Sequence, residues 1–177
     1  LMGTHMQCQA VPLIRPQSPV VGTGMEASVA ESMGWVVKAD FPGTIVHVDA
    51  NSIELELDKD VSAKAKEFYA ASINEHATFN KGRVTYSIIK FHRTAGSTCY
   101  NQKPVVKVGD KVKKGDLLID GPASDGGELS LGRNLVIAYA SFMGLGYEDA
   151  IIVSDKLVKE DVLTSIHINE YTADIMD

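Results

Sequence analysis

The period of the hydrophobic and polar positions changes along this chain, and the changes mark its elements. Residues 1–24 carry Pro12, Pro16 and Pro19. Each proline fixes its own φ and lacks a donor, so this stretch predicts a short helical turn followed by extended chain. Gly22-Thr23-Gly24 predicts a sharp turn into a short helix over Met25–Ser32. From Gly34 the pattern becomes strand-like. Trp35–Ala39 is one apolar run, Thr44–Val48 follows Pro42-Gly43, and Ser52–Leu57 alternates polar and apolar positions as a half-buried strand does. Asp49-Ala50-Asn51 between the last two runs predicts a β-hairpin.

Residues 58–83 break this rhythm. Lys59, Asp60, Lys64, Lys66, Glu67 and Glu75 crowd a stretch with an Ala-rich centre at Ala63–Ala71. The expectation is a solvent-exposed insertion holding one helix. Strand character resumes over Val84–Phe91, and His92–Pro104 reads as a loop. In Val105–Ile119 the glycines Gly109 and Gly115 separate short Val/Leu runs, the pattern of small barrels and sandwiches such as biotinyl and lipoyl carrier folds. Beyond a loop at Pro122–Gly127, Asn134–Ser141 reads as a buried strand. Gly144 and Gly146 interrupt the chain before Tyr147–Ser154. A short helix over Lys156–Asp161 and a last strand over Thr164–Glu170 complete the reading. The fold class is mainly β with short helices (α+β).

Composition narrows the function classes. The chain has 177 residues, 45% apolar and 23% charged, as in ordinary globular proteins. No apolar run approaches the roughly 20 residues that cross a bilayer, and the opening Leu1–His5 lacks the features of a secretory signal. Two cysteines, Cys8 and Cys99, make no disulfide framework and suit a reducing cytoplasm. Formal net charge is −6. Phosphate neutralisation drives much nucleic-acid affinity, so this charge argues against strong independent binding to nucleic acid. A catalytic piece working inside a larger assembly remains compatible with it.

Candidate chemistry is sparse. Glu148-Asp149 places two hard oxygen donors beside a Gly-containing loop, an arrangement suited to Mg²⁺, although acid pairs also mark helix starts. Gln7 and Gln9, with His5 nearby, form a polar cluster able to hold a sugar or phosphate oxygen; loop capping is the plainer reading. His5 and Cys8 alone do not make a zinc site, and His47, His76, His92 and His167 are scattered. There is no Walker-type phosphate loop and no G-x-S-x-G elbow. Lys113-Lys114 occupies the turn that carries the modified lysine in carrier domains, without their flanking residues.

The motifs resemble those of bacterial RNA polymerase β subunits. Leu1–Pro12 looks like their LMGxNMQRQAVP, Val21–Glu26 matches VGTGME, and Thr98–Pro104 matches TCINQxP. Lys107–Asp110 with Lys114–Asp116 matches KVGDxVKKGD. Asp120–Pro122 through Glu128–Asn134 resembles DGPSTDxGELALGRN, Tyr147–Ile151 resembles FEDAI, and Thr164–Ile168 matches TSIHI. The resemblance implies DNA-templated nucleotidyl transfer by a two-Mg²⁺ mechanism. It implies that Glu148 and Asp149 serve the incoming nucleotide and the second Mg²⁺, and that Gln9, with Gln7 and His5 near it, faces the RNA 3′ end. It further implies three parts: residues 1–33 as an active-centre segment, 34–122 as a sandwich-barrel hybrid module with the insertion at 58–83, and 123–177 as strands of a double-psi β-barrel. The implied partners are the β′ and α subunits, the remainder of β, template DNA, RNA and nucleoside triphosphates, in the cytoplasm and without a membrane.

This sequence departs from the family in places. His5 stands where the family has Asn, and Cys8 where it has Arg, which removes a fixed positive charge. Ala140–Gly146 lacks the family's Pro-Trp loop, and the aspartates that hold the first Mg²⁺ belong to β′. Two rival readings stand beside the resemblance: a stand-alone β-barrel binding or carrier module, and a naturally split β subunit.

Overall fold

A computed structural model of the chain describes residues 1–71 and 76–175. Its elements in order are α1 (Met2–Gln7), α2 (Glu26–Ser32), β1 (Val37–Lys38), β2 (Gly43–Val48), β3 (Ser52–Leu57), α3 (Ser62–Ala71), β4 (Ala77–Asn80) and β5 (Arg83–Ser87). They continue with β6 (His92–Arg93), β7 (Cys99–Tyr100), β8 (Lys103–Pro104), β9 (Lys111–Val112), β10 (Leu117–Asp120), β11 (Ser124–Asp125) and β12 (Glu128–Leu129). A 3₁₀ turn at Tyr147–Asp149 and α4 (Asp155–Lys159) follow.

The predicted hairpin is the centre of the fold. Asp49 shapes its turn by accepting hydrogen bonds from the backbone N–H groups of Asn51 and Ser52, both at 2.7 Å. β2 and β3 then pair antiparallel with a bulge between Ile45 and His47, inside a five-stranded sheet ordered β4-β5-β3-β2-β9. Along β3 the period of two is obeyed: Ile53, Leu55 and Leu57 are buried, and Ser52, Glu54 and Glu56 are more exposed. Ile45, Val84, Tyr86, Leu118 and Ile119 close the same core. Burying each such side chain stabilises the fold by about 1.5–3 kcal/mol.

Gly109 and Gly115 act as the sequence predicts. They have φ of 93° and 92°, a conformation that costs a residue with a Cβ. The two turns are structural copies. In each, the Asp carboxylate accepts from the backbone N–H of the Lys three residues earlier, Asp110 from Lys107 at 2.8 Å and Asp116 from Lys113 at 2.7 Å. In each, the Gly N–H donates to a carbonyl of the β1–β2 region, Gly109 to Ile45 and Gly115 to Ala39, both at 2.8 Å. Ile45 and Ala39 donate in return to the Asp carbonyls. The repeated Lys-x-Gly-Asp is thus a repeated clamp on chain positions 39 and 45.

A three-stranded sheet, β1-β10-β8, lies beside the main one. Gln102 joins it to the body: its fully buried side chain accepts from Ile89 N and donates to the Trp35 carbonyl, both at 2.7 Å.

Several expectations need correction. The stretch 92–104, read as a loop, carries the short strands β6, β7 and β8, and the loop at 122–127 carries β11, because each finds a pairing partner distant or adjacent in the chain. The 58–83 segment holds the predicted helix, α3, most of whose residues are exposed as expected, but parts of the segment also reach the core. Ala65 and Ala77 are buried, and β4 is the edge strand of the main sheet. The Tyr69 hydroxyl donates to Asp40 at 2.6 Å and lies 3.1 Å from the Tyr86 hydroxyl, and burial pushes both phenol pKa values upward. Glu75 lies outside the described residues. The strand expected at Asn134–Ser141 is extended, unpaired chain, with Val136, Ile137 and Tyr139 exposed. A strand needs a neighbour, and none of the described residues supplies one there. Thr164–Glu170 is likewise reduced to isolated bridges, Leu13 with Ser165 and Thr98 with His167. The molecule is mainly β with short helices and open sheets.

A Cβ at Gly43 would stand 2.3 Å from the Glu56 carbonyl oxygen, whereas at Gly3 it would meet nothing within 4 Å. Gly43→Ala should therefore lower stability by about 3 kcal/mol through overpacking of backbone on backbone. Gly3→Ala, inside α1, should leave stability unchanged or raised by up to about 1 kcal/mol. Paired urea denaturation midpoints check the difference.

Candidate active-centre segments

The predicted site residues lie on two stretches, 1–9 and 134–153, and one extended strap connects them. Prolines forbid a long helix through residues 12–19, so the backbone there must find partners elsewhere. Ile14 N donates to the Thr164 carbonyl at 3.0 Å, and Gln17 N to the Gly132 carbonyl at 2.9 Å. Ser18 bonds Asp125 twice, N to Oδ2 at 3.1 Å and Oγ to the carbonyl at 2.9 Å. Asn134 bonds the strap three times: its Oδ1 accepts from Val20 N at 3.2 Å, its Nδ2 donates to the Ser18 carbonyl at 2.8 Å, and its own N–H donates to Gln17 Oε1 at 3.3 Å. Arg15 donates to the Glu160 carbonyl, and Arg133 to the Arg15 carbonyl.

Upstream of the strap, α1 is a single short helix with every residue exposed. His5 and Gln9 meet one turn apart, Nε2 to Nε2 at 2.8 Å, as i and i+4 positions do. Gln7 is exposed and stays outside that pair. Downstream of Asn134, residues 134–154 run exposed, with Tyr139 at 99% and Ile151 at 86% exposure. Contiguous apolar exposure on that scale marks an interaction surface.

Within this ribbon stands the acid pair. Glu148 has φ 57° and ψ 46°, and Asp149 has φ 62°. Two successive non-glycine residues in the left-handed region cost roughly 1–2 kcal/mol each. Strain of that kind clusters at functional sites. Both carboxylates face solvent with hard oxygen donors that suit Mg²⁺. No group of three or more His, Cys, Asp or Glu able to hold a metal ion gathers among the described residues. The pair is therefore at most a partial ligand set. No hydrogen bond or ion pair among the described residues joins it to His5, Gln7 or Gln9; the structure links the two stretches only through the strap.

Comparison with known proteins decides the family. The model of the family described as RNA polymerase Rpb2, domain 6, matches residues 43–177. The chain belongs to this family. Relatives named DNA-directed RNA polymerase subunit beta include one from Cytophaga hutchinsonii, 44% identical over 100% of the chain and 13% of the relative. Another, from Geobacter sulfurreducens, is 49% identical over 97% of the chain and 12% of the relative. A third, from an Exiguobacterium strain, is 45% identical over 100% of the chain and 14% of the relative. This Rpb2 domain 6 chain thus spans about an eighth to a seventh of these relatives and is a β-subunit segment. The family model begins at Gly43, the first residue of β2, whereas the relatives also cover α1, the strap and α2.

Sequence reasoning singled out the acids and amides and missed the residues that hold them. Asn134, Ser18 and Asp125 carry the strap. Asn134 ends a matched motif, but its importance comes from partners 114 and 116 residues away, which no local pattern encodes. Gln102 had one signal, its place in the matched Thr98–Pro104 motif.

Glu26 fixes the turn from strap to α2. Its Oε1 accepts from Thr23 N at 2.7 Å and from the Thr23 hydroxyl at 2.9 Å, and its Oε2 accepts from Gly24 N at 2.9 Å. These bonds, the Thr23 backbone N–H foremost, lower its carboxyl pKa from 4.5 to about 2. A depressed carboxyl pKa contributes stability above the unfolded value and loses it as pH falls through the folded one. The turn should hold above about pH 4.5 and loosen as pH falls towards 2. An NMR titration should give the Glu26 carboxyl a midpoint near 2, and Glu26→Gln should remove this part of the acid sensitivity while Asp49, also lowered to about 2, keeps its own.

Proposed function

We propose that this segment works within a complete DNA-directed RNA polymerase, where it serves DNA-templated nucleotidyl transfer and is inactive alone. The observation that carries the reading is the tandem left-handed acid pair, Glu148 and Asp149, on an exposed ribbon anchored by Asn134 to the same strap that leads to Gln9. In this reading residues 1–33 form an active-centre segment, 34–122 the sandwich-barrel hybrid module, and 123–177 strands of the double-psi β-barrel. The exposed apolar ribbon is covered by the remainder of β and by β′, with α completing the assembly.

The roles follow from the chemistry of each group. Glu148 and Asp149 are the residues that would hold the second Mg²⁺, directly or through its water, with the remaining donors coming from outside this chain. When bound, that cation neutralises charge on the triphosphate and its leaving oxygen. The acids orient the incoming nucleoside triphosphate. Gln9, paired with His5, offers an amide that can donate to and accept from the sugar of the RNA 3′ end, and Gln7 adds a second amide on α1. Left-handed backbone at both positions sets the direction in which the two side chains leave the chain. The enzyme is cytoplasmic in this reading.

Glu148→Ala or Asp149→Ala in the complete polymerase should slow nucleotide addition about 10–100-fold, a range set by loss of an outer partner at a metal site, while subunit assembly survives. Rapid-quench elongation at limiting nucleotide measures this, and unchanged rates there would sink the acid-pair role.

With its net charge of −6, the isolated chain should bind a DNA–RNA hybrid weakly and lose that binding with added salt. Fluorescence anisotropy across a salt series tests this, and tight, salt-resistant binding would instead favour a stand-alone binding module.

A further inference from the structure

The Thr98–Pro104 motif has two faces, and only one is explained so far. Tyr100 and Gln102 point into the body: the Tyr100 ring meets Trp35 edge-on at 5.1 Å, and Gln102 bonds the Trp35 carbonyl. The alternate positions Cys99, Asn101 and Lys103 line a cavity of about 50 Å³ whose opposite wall is the strap at Leu13 and Ile14. Lys103 Nζ donates to the Ile14 carbonyl across it. Asn101 Oδ1 is buried in the same place and finds no hydrogen-bond partner.

A buried acceptor without a donor is costly, and native proteins rarely leave one so. Cavity size decides what can serve it. An apolar ligand the size of benzene needs a cavity of about 150 Å³, whereas a water occupies about 30 Å³ of liquid. The half-open pocket here, about 50 Å³, has room for water and falls well short of the space benzene takes. Lys103 has three ammonium donors and spends one on Ile14, so another is free for the cavity. Asn101 lies in the link between β7 and β8 and Lys103 opens β8, so both side chains line the same pocket from neighbouring positions.

We propose that the cavity under the strap is an ordered-water site, in which a water donates to Asn101 Oδ1 and accepts from Lys103 Nζ. The strap then rests on β7 and β8 through a hydrated seam rather than a dry one. Cys99, whose thiol pKa is raised by burial, forms part of the wall.

The test is a structure of the complete polymerase containing this chain, at a resolution that shows internal waters, for wild type and Asn101→Leu. The expected result is a wild-type density peak within hydrogen-bond distance of both Asn101 Oδ1 and Lys103 Nζ. In Asn101→Leu that peak should vanish while Lys103 keeps its bond to Ile14. No wild-type peak where other buried waters are visible would overturn the proposal. So would a protein group from elsewhere in the polymerase bonded to Oδ1, or a peak that persists in Asn101→Leu. Should the variant fail to assemble, the wild-type map decides alone.

Discussion

Backbone polar groups in an extended segment that prolines keep out of helix must be satisfied by distant chain, and this requirement organises the molecule. Residues 13–20 form no element of their own. Their N–H and C=O groups are taken up by Thr164, Gly132, Asp125 and Asn134, and by the cationic side chains of Lys103 and Arg133. The result ties the first tenth of the chain to its last third. Where α1 lies relative to the acid-bearing ribbon depends on those bonds.

The sheet beneath the strap is a different kind of structure. Its stability comes from a half-buried hairpin with regular alternation and from two copied Lys-x-Gly-Asp turns that clamp positions 39 and 45. The ribbon at 134–154 is the opposite, apolar yet uncovered and carrying strained carboxylates. The contrast is between a sheet whose apolar face is buried within this chain and a ribbon whose apolar side chains are not.

The inclusion of 58–83 in the sheet shows how an insertion becomes structural. Charges on α3 predict a solvent-exposed helix, and most of it is exposed, yet Ala65 and Tyr69 on its inner face reach the core, and Tyr69 meets Asp40 and Tyr86. The charged residues simply take the solvent side. Local charge density reports exposure of side chains, not detachment of the backbone.

Local patterns in the sequence determined a good deal: the hairpin at 44–57 from its period of two, the turns at Gly109 and Gly115 from glycine spacing, the short helices α2, α3 and α4, and, through motif resemblance, the family. Each depends on residues within a few positions of one another. Only the tertiary structure decided that Asn134–Ser141 is unpaired chain, that β4 joins the main sheet, that His5 and Gln9 pair while Gln7 does not, and that Asn134 fastens the strap. The apolar run at 134–141 reads the same whether a strand is covered by its own chain or by another subunit, because hydrophobicity records that a surface will be buried and not by what.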